Sequence, residues 1–540
     1  MYNMLRVAVL LFSFSTCFAR FIVHPEVVPS VGRAWPQPQQ YVSESTYFTV
    51  DRTKFYFSDS SKCDIIVDAM TRYMNIIFQG CQNSSSTFPL NEQQKLAIKN
   101  SSGDLPYLTI KIAGSCEKYP YENMDEQYMI EINTRDYLGA GILYSTTVWG
   151  ALRGLETFSQ LVYEIQPGVH AINTSLTLDF PRFSYRGVLL DTSRHFVPVP
   201  HLLANLDAMA SVKMNVFHWH IVDDQSFPYV SKTFPELSEK GSFNPKTHTY
   251  SQKEIAQIIE YARLRGIRVV AEFDSPGHTM SWGNGRPDIL TKCYTGSQWN
   301  GNYGPLDPSN HDVYVFLKSL FSEIGTVFPE NYVHLGGDEV SFKCWQSNPG
   351  IRSFMKAHNI STYAKLEEYY MQNLLDIVKA LNKSYVVWQE VFDNGVKIKK
   401  DTVVHVWKDG YKSELANVTG AGYNAILSSC WYLNYISYGN DWHAYYQCDP
   451  HDFKGSGDQK NLVIGGEACM WGEYVDGSNV ISRTWPRAAA VAERLWSNIS
   501  VTDINAAIPR LEEQRCRMLR RGIKVEPVSG PGYCECDYLL

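Results

Sequence analysis

Residues 185–224, YRGVLLDTSRHFVPVPHLLANLDAMASVKMNVFHWHIVDD, hold the unit from which most of the chain is built. An apolar run from Tyr185 closes on Asp191. An amphipathic stretch, His201 to Lys213, follows at 3.6-residue spacing, and a second apolar run from Met214 ends on Asp223 and Asp224. That reads as strand, helix, strand, with carboxylates where each strand stops. The rhythm recurs near Ile267 (IRVVAEFD), Asn331 (NYVHLGGDE), Ser384 (SYVVWQE), Thr402 (TVVHVW), Asn424 (NAILSSCW) and Leu462 (LVIGGEACMW), making eight runs. Further helices are predicted at Gln252–Arg265, Asp312–Phe328, Tyr363–Leu381 and, more weakly patterned, Ser413–Gly420, with Pro486–Ser497 and Asn505–Arg521 after the last run. Eight strand–helix repeats over roughly 300 residues predict an α/β chain with a closed (β/α)8 barrel. An open doubly wound sheet stays possible at this point, because periodicity does not report closure.

Upstream of that unit the pattern changes. Extended runs (Tyr107 to Gly114, Tyr128 to Thr134) mix with helical ones from Lys62 and from Trp149 to Val162, separated by polar loops around Asn83 and Asn100. This predicts an α+β module over residues 20–180, a sheet with helices on one side, ahead of a barrel over 181–540. No chemistry is evident in the first module. The 540 residues exceed one ordinary domain, and 44% apolar with 19% charged residues excludes disordered, collagen-like and coiled-coil chains. A net charge of −7 advertises neither nucleic acid nor anionic lipid as partner.

The N-terminus supplies a compartment. Arg6 precedes an apolar run, Val7 to Phe14, and Cys17-Phe18-Ala19 places small residues where a signal peptidase cuts, so residues 1–19 read as a signal peptide. The run is too short for a membrane span, and no later stretch approaches that length. Seven sequons, at Asn83, Asn100, Asn173, Asn359, Asn382, Asn417 and Asn498, point the same way. Losing Cys17 from twelve Cys leaves eleven, an odd number, with disulfides expected and at least one thiol unpaired or paired between chains. Cys534-Glu535-Cys536 is too tight for ordinary zinc spacing. Cys469, in a glycine-flanked apolar run, reads as a buried free thiol.

In a barrel of this kind chemistry gathers where strands run into their loops. Those positions hold Asp191, Arg194, His218, His220, Asp223 and Asp224, then Glu272, Asp274, His278, Asp338 and Glu339. The later strands add Trp388, Glu390, Trp407, Trp431, Tyr432, Trp471 and Glu473. Each has a plainer explanation. Asp338-Glu339 would serve as a helix N-cap pair, but Gly336 and Gly337 before it leave room for a close approach. The tryptophans would serve as core, yet a row of them beside acids suits the C–H faces of a pyranose. Asp223-Asp224 would cap a loop, and Arg194 would be a solvated cation. His218-Trp219-His220 puts two imidazoles on one strand face. With a third His from His278, His334 or His405, that describes a metal-dependent barrel hydrolase, the competing reading.

His334-Leu335-Gly336-Gly337-Asp338-Glu339-Val340 resembles the signature of the β-N-acetylhexosaminidases, the family-twenty glycoside hydrolases. His218 to Asp224, Ala271 to His278, Val387 to Glu390, Trp431 to Asn434 and Gly465 to Glu473 match as well, as does Trp149 to Thr157 in the first module. The likeness is strongest to the lysosomal hexosaminidases of animals.

The resemblance implies an exo-acting enzyme that removes terminal N-acetylglucosamine or N-acetylgalactosamine, with retention, through an oxazolinium ion formed by the sugar's own acetamido group. It implies that Glu339 is the acid and then the base, that Asp338 binds the acetamido N–H, and that Tyr432 holds the carbonyl. Trp388, Trp407 and Trp471 would wall the pocket. Arg194, Glu473 and Asn434 would contact the sugar, and Asp223 with His278 would orient Glu339. It implies no metal and no cofactor, and an acidic working pH in keeping with a lysosome, with secretion as a second destination. A sugar-binding relative without catalysis has no need of Glu339.

The partners implied are a glycan or glycolipid substrate ending in a β-linked N-acetylhexosamine and a second copy of the chain as a homodimer. Neither nucleic acid nor a membrane span is implied. The resemblance pairs Cys63 with Cys116, Cys293 with Cys344 and Cys516 with Cys534; Cys430 with Cys448 is expected from their closeness in sequence. Cys81 and Cys536 are left without an assignment. Tyr435 stands where members that accept acidic sugars place a basic residue, so neutral substrates are expected.

Overall fold

The structure, a computed structural model, describes residues 31–80, 92–166, 168–535 and 537. The expected signal peptide, the Asn83 sequon, Cys17, Cys81 and Cys536 lie outside those residues. Strands and helices below are numbered in chain order.

The N-terminal part builds a seven-stranded mixed sheet from β1 (Gln40–Val50), β2 (Tyr56–Asp59), β3 (Tyr107–Ile112), β4 (Tyr128–Ile132), β5 (Gly141–Ser145), β6 (Tyr163–Gln166) and β7 (Val169–Asp179). Its order is β1-β7-β4-β5-β3-β2, with β6 paired to β7. Helices α1 (Asp64–Phe78) and α3 (Val148–Leu161) bury Ile65, Ile66, Ala69, Leu152, Leu155 and Phe158 in a core shared with Leu108, Ile130 and Leu143 of the sheet. Helix α2 (Glu92–Lys99) is short and largely exposed. Strands β1, β2, β5, β6 and β7 and helix α2 are elements that the sequence pattern did not announce. Half of β1 is exposed and carries no strict alternation.

The second part is a closed barrel of eight parallel strands: β8 (Tyr185–Asp191), β9 (Val216–His220), β10 (Arg268–Glu272), β13 (Tyr332–His334), β14 (Ser384–Trp388), β15 (Val403–Val406), β16 (Asn424–Leu427) and β17 (Val463–Met470). All eight fall on the expected runs. Pairing of β17 with β8, from Gly465 opposite Tyr185 to Met470 opposite Leu190, closes the ring and removes the open-sheet alternative. The hairpin β11 (Leu290–Thr295) and β12 (Gln298–Leu306) is an insertion after β10. The expected barrel helices are present, among them Val199–Ser211, Gln252–Arg263, His311–Val327 and Tyr363–Ala380.

Closure gives each strand two faces with different fates. Outward residues such as Val188, Leu190, Phe217 and Trp219 join the helices in the main core. Inward residues stack in layers. Tyr185, Val216, Val270, Tyr332, Val386, Val403 and Ile426 form an apolar floor. One step up, the inward positions are His218, Glu272, His334, His405 and Glu467, all fully buried. Above them lie Leu189, Trp388, Tyr432, Cys469 and Trp471 with Trp407. Gly187 makes the polar layer possible, since a Cβ there would lie 2.4 Å from a Glu467 carboxylate oxygen.

Sheet and barrel meet over buried charge. Glu126 accepts from Arg153 Nε at 2.7 Å and from Arg186 Nη2 at 2.7 and 2.8 Å. Lys213 Nζ donates to Asp179 at 2.7 Å and to Tyr128 Oη at 2.8 Å. Trp496, from the helix after β17, packs into the core of the sheet module and donates to Asp179.

Disulfides join Cys63–Cys116, Cys293–Cys344, Cys430–Cys448 and Cys516–Cys534, and Cys469 is a buried free thiol. Asn100, Asn359, Asn382, Asn417 and Asn498 are exposed. Asn173 is half-buried in β7, where its amide donates to Glu44 O at 3.0 Å and accepts from Tyr163 Oη at 2.7 Å. Among the described residues no helix is long and apolar enough to cross a membrane.

Removing one partner of a buried ion pair leaves the other charge uncompensated, at about 3–5 kcal/mol. Glu126→Ala strands two buried guanidiniums at the seam and is expected to lower the melting temperature clearly in calorimetry. An unchanged value would mean that the seam contributes nothing to stability.

Candidate active site

Asp338 and Glu339 follow β13 through Gly336 (φ +66°) and Gly337 (φ +94°), and Glu339 itself has φ +50°. Both glycines lie in the left-handed region that side chains disfavour. The space is also taken: a Cβ on Gly336 would lie 1.7 Å from Asp274 Oδ1. The close approach expected of these glycines is therefore made by Asp274, whose Oδ1 accepts from Gly337 N at 2.8 Å. The next helix, Phe342–Ser347, starts from Ser341, so Asp338-Glu339 is not its N-cap pair.

The two acids face different surroundings. The Asp338 side chain is 12% exposed and its Oδ1 is buried without a protein partner, whereas the Glu339 side chain is 60% exposed. His278 Nε2 lies 3.8 Å from an oxygen of each. His278 Nδ1 meets Asp223 Oδ1 at 3.1 Å, so Asp223 with His278 does stand behind Glu339. Burial disfavours the imidazolium of His278, but Asp274, Asp223 and Asp338 push it up to about 12. Burial and the charge of Asp338 push Asp274 well above the usual carboxylate range.

The aromatic residues assemble as expected. Trp388 and Trp471 lie 6.0 Å apart between ring centroids, Trp407 stacks on Tyr432 at 6.2 Å, and Tyr432 lies 6.4 Å from Trp471. Burial pushes the Tyr432 hydroxyl well above its ordinary range, so it is a neutral donor. Trp431 belongs to the outer core, where its Nε1 donates to Tyr445 O. Arg194 is no solvated cation. It pairs with Asp191 and Asp223 at 2.9 Å each, and its guanidinium lies over the Trp471 ring. Asn434 is half-buried with Oδ1 unpartnered, and Glu473 is exposed, close enough to Arg194 for its charge to be felt there.

Asp191, Glu272 and Glu390 stand among the strand-end acids without a role read from the sequence, and Glu467, inside β17, falls only within a matching motif. Glu390 Oε2 accepts from Trp407 Nε1 at 2.9 Å, and Glu272 Oε1 accepts from Trp388 Nε1 at 2.8 Å, so buried carboxylates hold two of the tryptophan rings. The same acids answer the His-x-His question. His218 lies between Glu467 (2.7 Å) and Glu272 (2.9 Å), and His220 between Glu272 (2.6 Å) and Asp223 (2.7 Å). His334 and His405 also sit beside His218, and each His218 ring nitrogen has a carboxylate in reach, Glu467 at 2.7 Å and Glu272 at 2.9 Å. With these contacts pushing His218 up to about 9 and His220 up to about 10 against burial, the pair is cationic. A metal-dependent hydrolase is not favoured.

A closed barrel with acids and a tryptophan cage at one end defines a glycoside hydrolase. The comparisons with known proteins agree. Residues 183–499 match the glycosyl hydrolase family 20 catalytic domain, and residues 34–161 match a beta-acetyl hexosaminidase like domain. The chain is 49% identical to beta-hexosaminidase subunit alpha of Bos taurus, over 94% of this chain and 96% of that one. It is 47% identical to beta-hexosaminidase subunit beta of Homo sapiens, over 95% and 91%. Among solved structures, the Flavobacterium johnsoniae chitobiase superposes with a TM-score of 0.78 at 34% identity, covering 91% of this chain and 73% of that one. The chain belongs to glycosyl hydrolase family 20.

Gly336→Ala forces either the turn or Asp274 to move. It is expected to lower stability by about 1–3 kcal/mol and turnover about 100-fold, since a shift of about 1 Å in a reacting group has that effect. Gly457→Ala, in open space, is the control. Equal turnover of the two variants in a hydrolysis assay would disprove the role of the turn.

Proposed function

We propose that the enzyme is an exo-β-N-acetylhexosaminidase that acts on terminal N-acetylglucosamine and N-acetylgalactosamine with help from the substrate's acetamido group. The observation that carries this mechanism is the orphaned Oδ1 of Asp338. A buried carboxylate oxygen without a partner is costly, and a ligand N–H would satisfy it. The acetamido N–H of the sugar fits, with the methyl and carbonyl groups among Trp388, Trp407, Trp471 and Tyr432. The carbonyl oxygen then attacks C1 as the glycosidic bond breaks, and Glu339 gives its proton to the leaving oxygen. Asp338 stabilises the positive charge on the oxazolinium, more strongly for being away from water. Water enters with Glu339 as base, restoring the acetamide and retaining the anomeric configuration. The exposure of Glu339 suits a group that must meet both a leaving group and water. Arg194, Asn434 and Glu473 would bind the sugar hydroxyls.

An aryl N-acetylglucosaminide should be hydrolysed and the matching aryl glucoside left intact. Equal rates would sink acetamido participation. Glu339→Gln should lose about 10²–10⁴-fold in kcat and Asp338→Asn about 10²–10³-fold, with sugar binding retained.

The signal peptide, the sequons and the disulfides support a glycosylated lysosomal enzyme whose mature chain divides near residue 180. A homodimer through the barrel is supported by large apolar side chains left exposed on loops after the barrel strands, Ile436, Tyr438 and Tyr474. Sedimentation should give twice the chain mass, and a single-chain mass removes the dimer.

A further inference from the structure

We propose that Glu272 is a positioning residue for the hydrolysis, holding both halves of the site from inside the barrel. The inference rests on the roles of Asp338 and Glu339 given above. One oxygen of Glu272, Oε1, accepts from Trp388 Nε1 at 2.8 Å and so fixes a wall of the acetamido pocket. The other, Oε2, meets His220 Nδ1 at 2.6 Å. His220 Nε2 meets Asp223 Oδ2 at 2.7 Å, Asp223 Oδ1 meets His278 Nδ1 at 3.1 Å, and His278 Nε2 stands 3.8 Å from Glu339 Oε2. From Glu272 to Asp223 every member of this chain is buried. With these groups shielded from solvent, the position of each ring is set by the acid behind it. A carboxylate used only as counter-charge to His218 would not need to reach two arms of one site.

The electrostatics give the arrangement a measurable signature. Asp223 faces Arg194 from the turn after β8, His220 from β9 and His278 from the loop after β10. Against the effect of burial, these cations hold its carboxyl well below the usual range. Among the described residues, His220 has Glu272 and Asp223 as its charged partners within contact, and both push its imidazole toward the protonated form. Glu272 also faces His218 and His334, and His278 also faces Asp274, Asp338 and Glu339. With Glu272 neutral, His220 keeps only Asp223 as a carboxylate partner, and its raised pKa falls toward the ordinary imidazole range. An imidazolium whose raised pKa falls gives up its proton earlier as pH rises, and Asp223 then loses one of its three cations. The basic limb of the activity profile therefore moves to lower pH.

The test measures kcat and KM on an aryl N-acetylglucosaminide across the pH range, with melting temperature, for the wild type and three variants. Glu272→Gln is expected to lose about 10- to 100-fold in kcat and to shift the basic limb downward by about one pH unit. His220→Gln cuts the same chain one link further on and should lower kcat to a similar degree across the pH range, so it carries the test if Glu272→Gln does not fold. Trp388→Phe breaks only the other arm and should raise KM while the basic limb stays in place. An unmoved basic limb with unchanged kcat in Glu272→Gln, and unchanged kcat in His220→Gln, with only a lower melting temperature, would overturn the inference and leave Glu272 a structural counter-charge. A wild-type chain that cleaves no N-acetylglucosaminide would defeat the proposed function itself, a result distinct from the first.

Discussion

Two carboxylates inside the barrel, Glu272 and Glu467, impose the constraint on which the site depends. An unpaired charge in that interior would be very costly, and each acid is surrounded by donors. Glu467 takes His218 and Tyr185, while Glu272 takes His218, His220, His334 and Trp388. His218 and His220 are pushed toward the protonated form in answer, while burial pushes His334 and His405 toward the neutral one, and the layer sits between an apolar floor and an aromatic roof. Rings held from below in this way are presented above with little freedom to turn.

The pocket gains its chemistry from the asymmetry between two neighbouring residues. Gly336 and Gly337 turn the chain so that Asp338 points inward among aromatic rings while Glu339 points outward to solvent. A straight continuation of β13 would send successive side chains to opposite faces too, but out of reach of both His278 and the tryptophan wall. The left-handed turn brings His278 within 3.8 Å of both acids, and Asp274, its carboxyl pushed well above the usual range by burial and the nearby Asp338, occupies the space beside Gly336.

Much of the barrel was legible because its strands are short, apolar and each followed by an amphipathic helix. Each of the eight runs matched a strand, and most helices matched within two residues. The edge strand β1 escaped because its largely exposed run carries neither a helical nor a clean alternating signal. In the site, Glu339, Asp338, Tyr432 and the three tryptophans stood out as acids and rings at strand ends. Glu272, Glu390 and Asp191 lie at equivalent positions, yet an acid that holds a ring and an acid that meets a substrate look identical in one dimension.

The sequence by itself determined the strand–helix repeat, the presence of acids and tryptophans at one end, and the family resemblance, because periodicity and motif spacing are local properties of the chain. Tertiary structure alone decided closure, through β17 meeting β8, and so decided which residues face the same interior. It showed that His218 and His220 meet carboxylates from other strands and that Asp338 is enclosed while Glu339 is open. Each of those depends on partners from distant strands, and the pairing of a buried charge is known only when its neighbours in space are known.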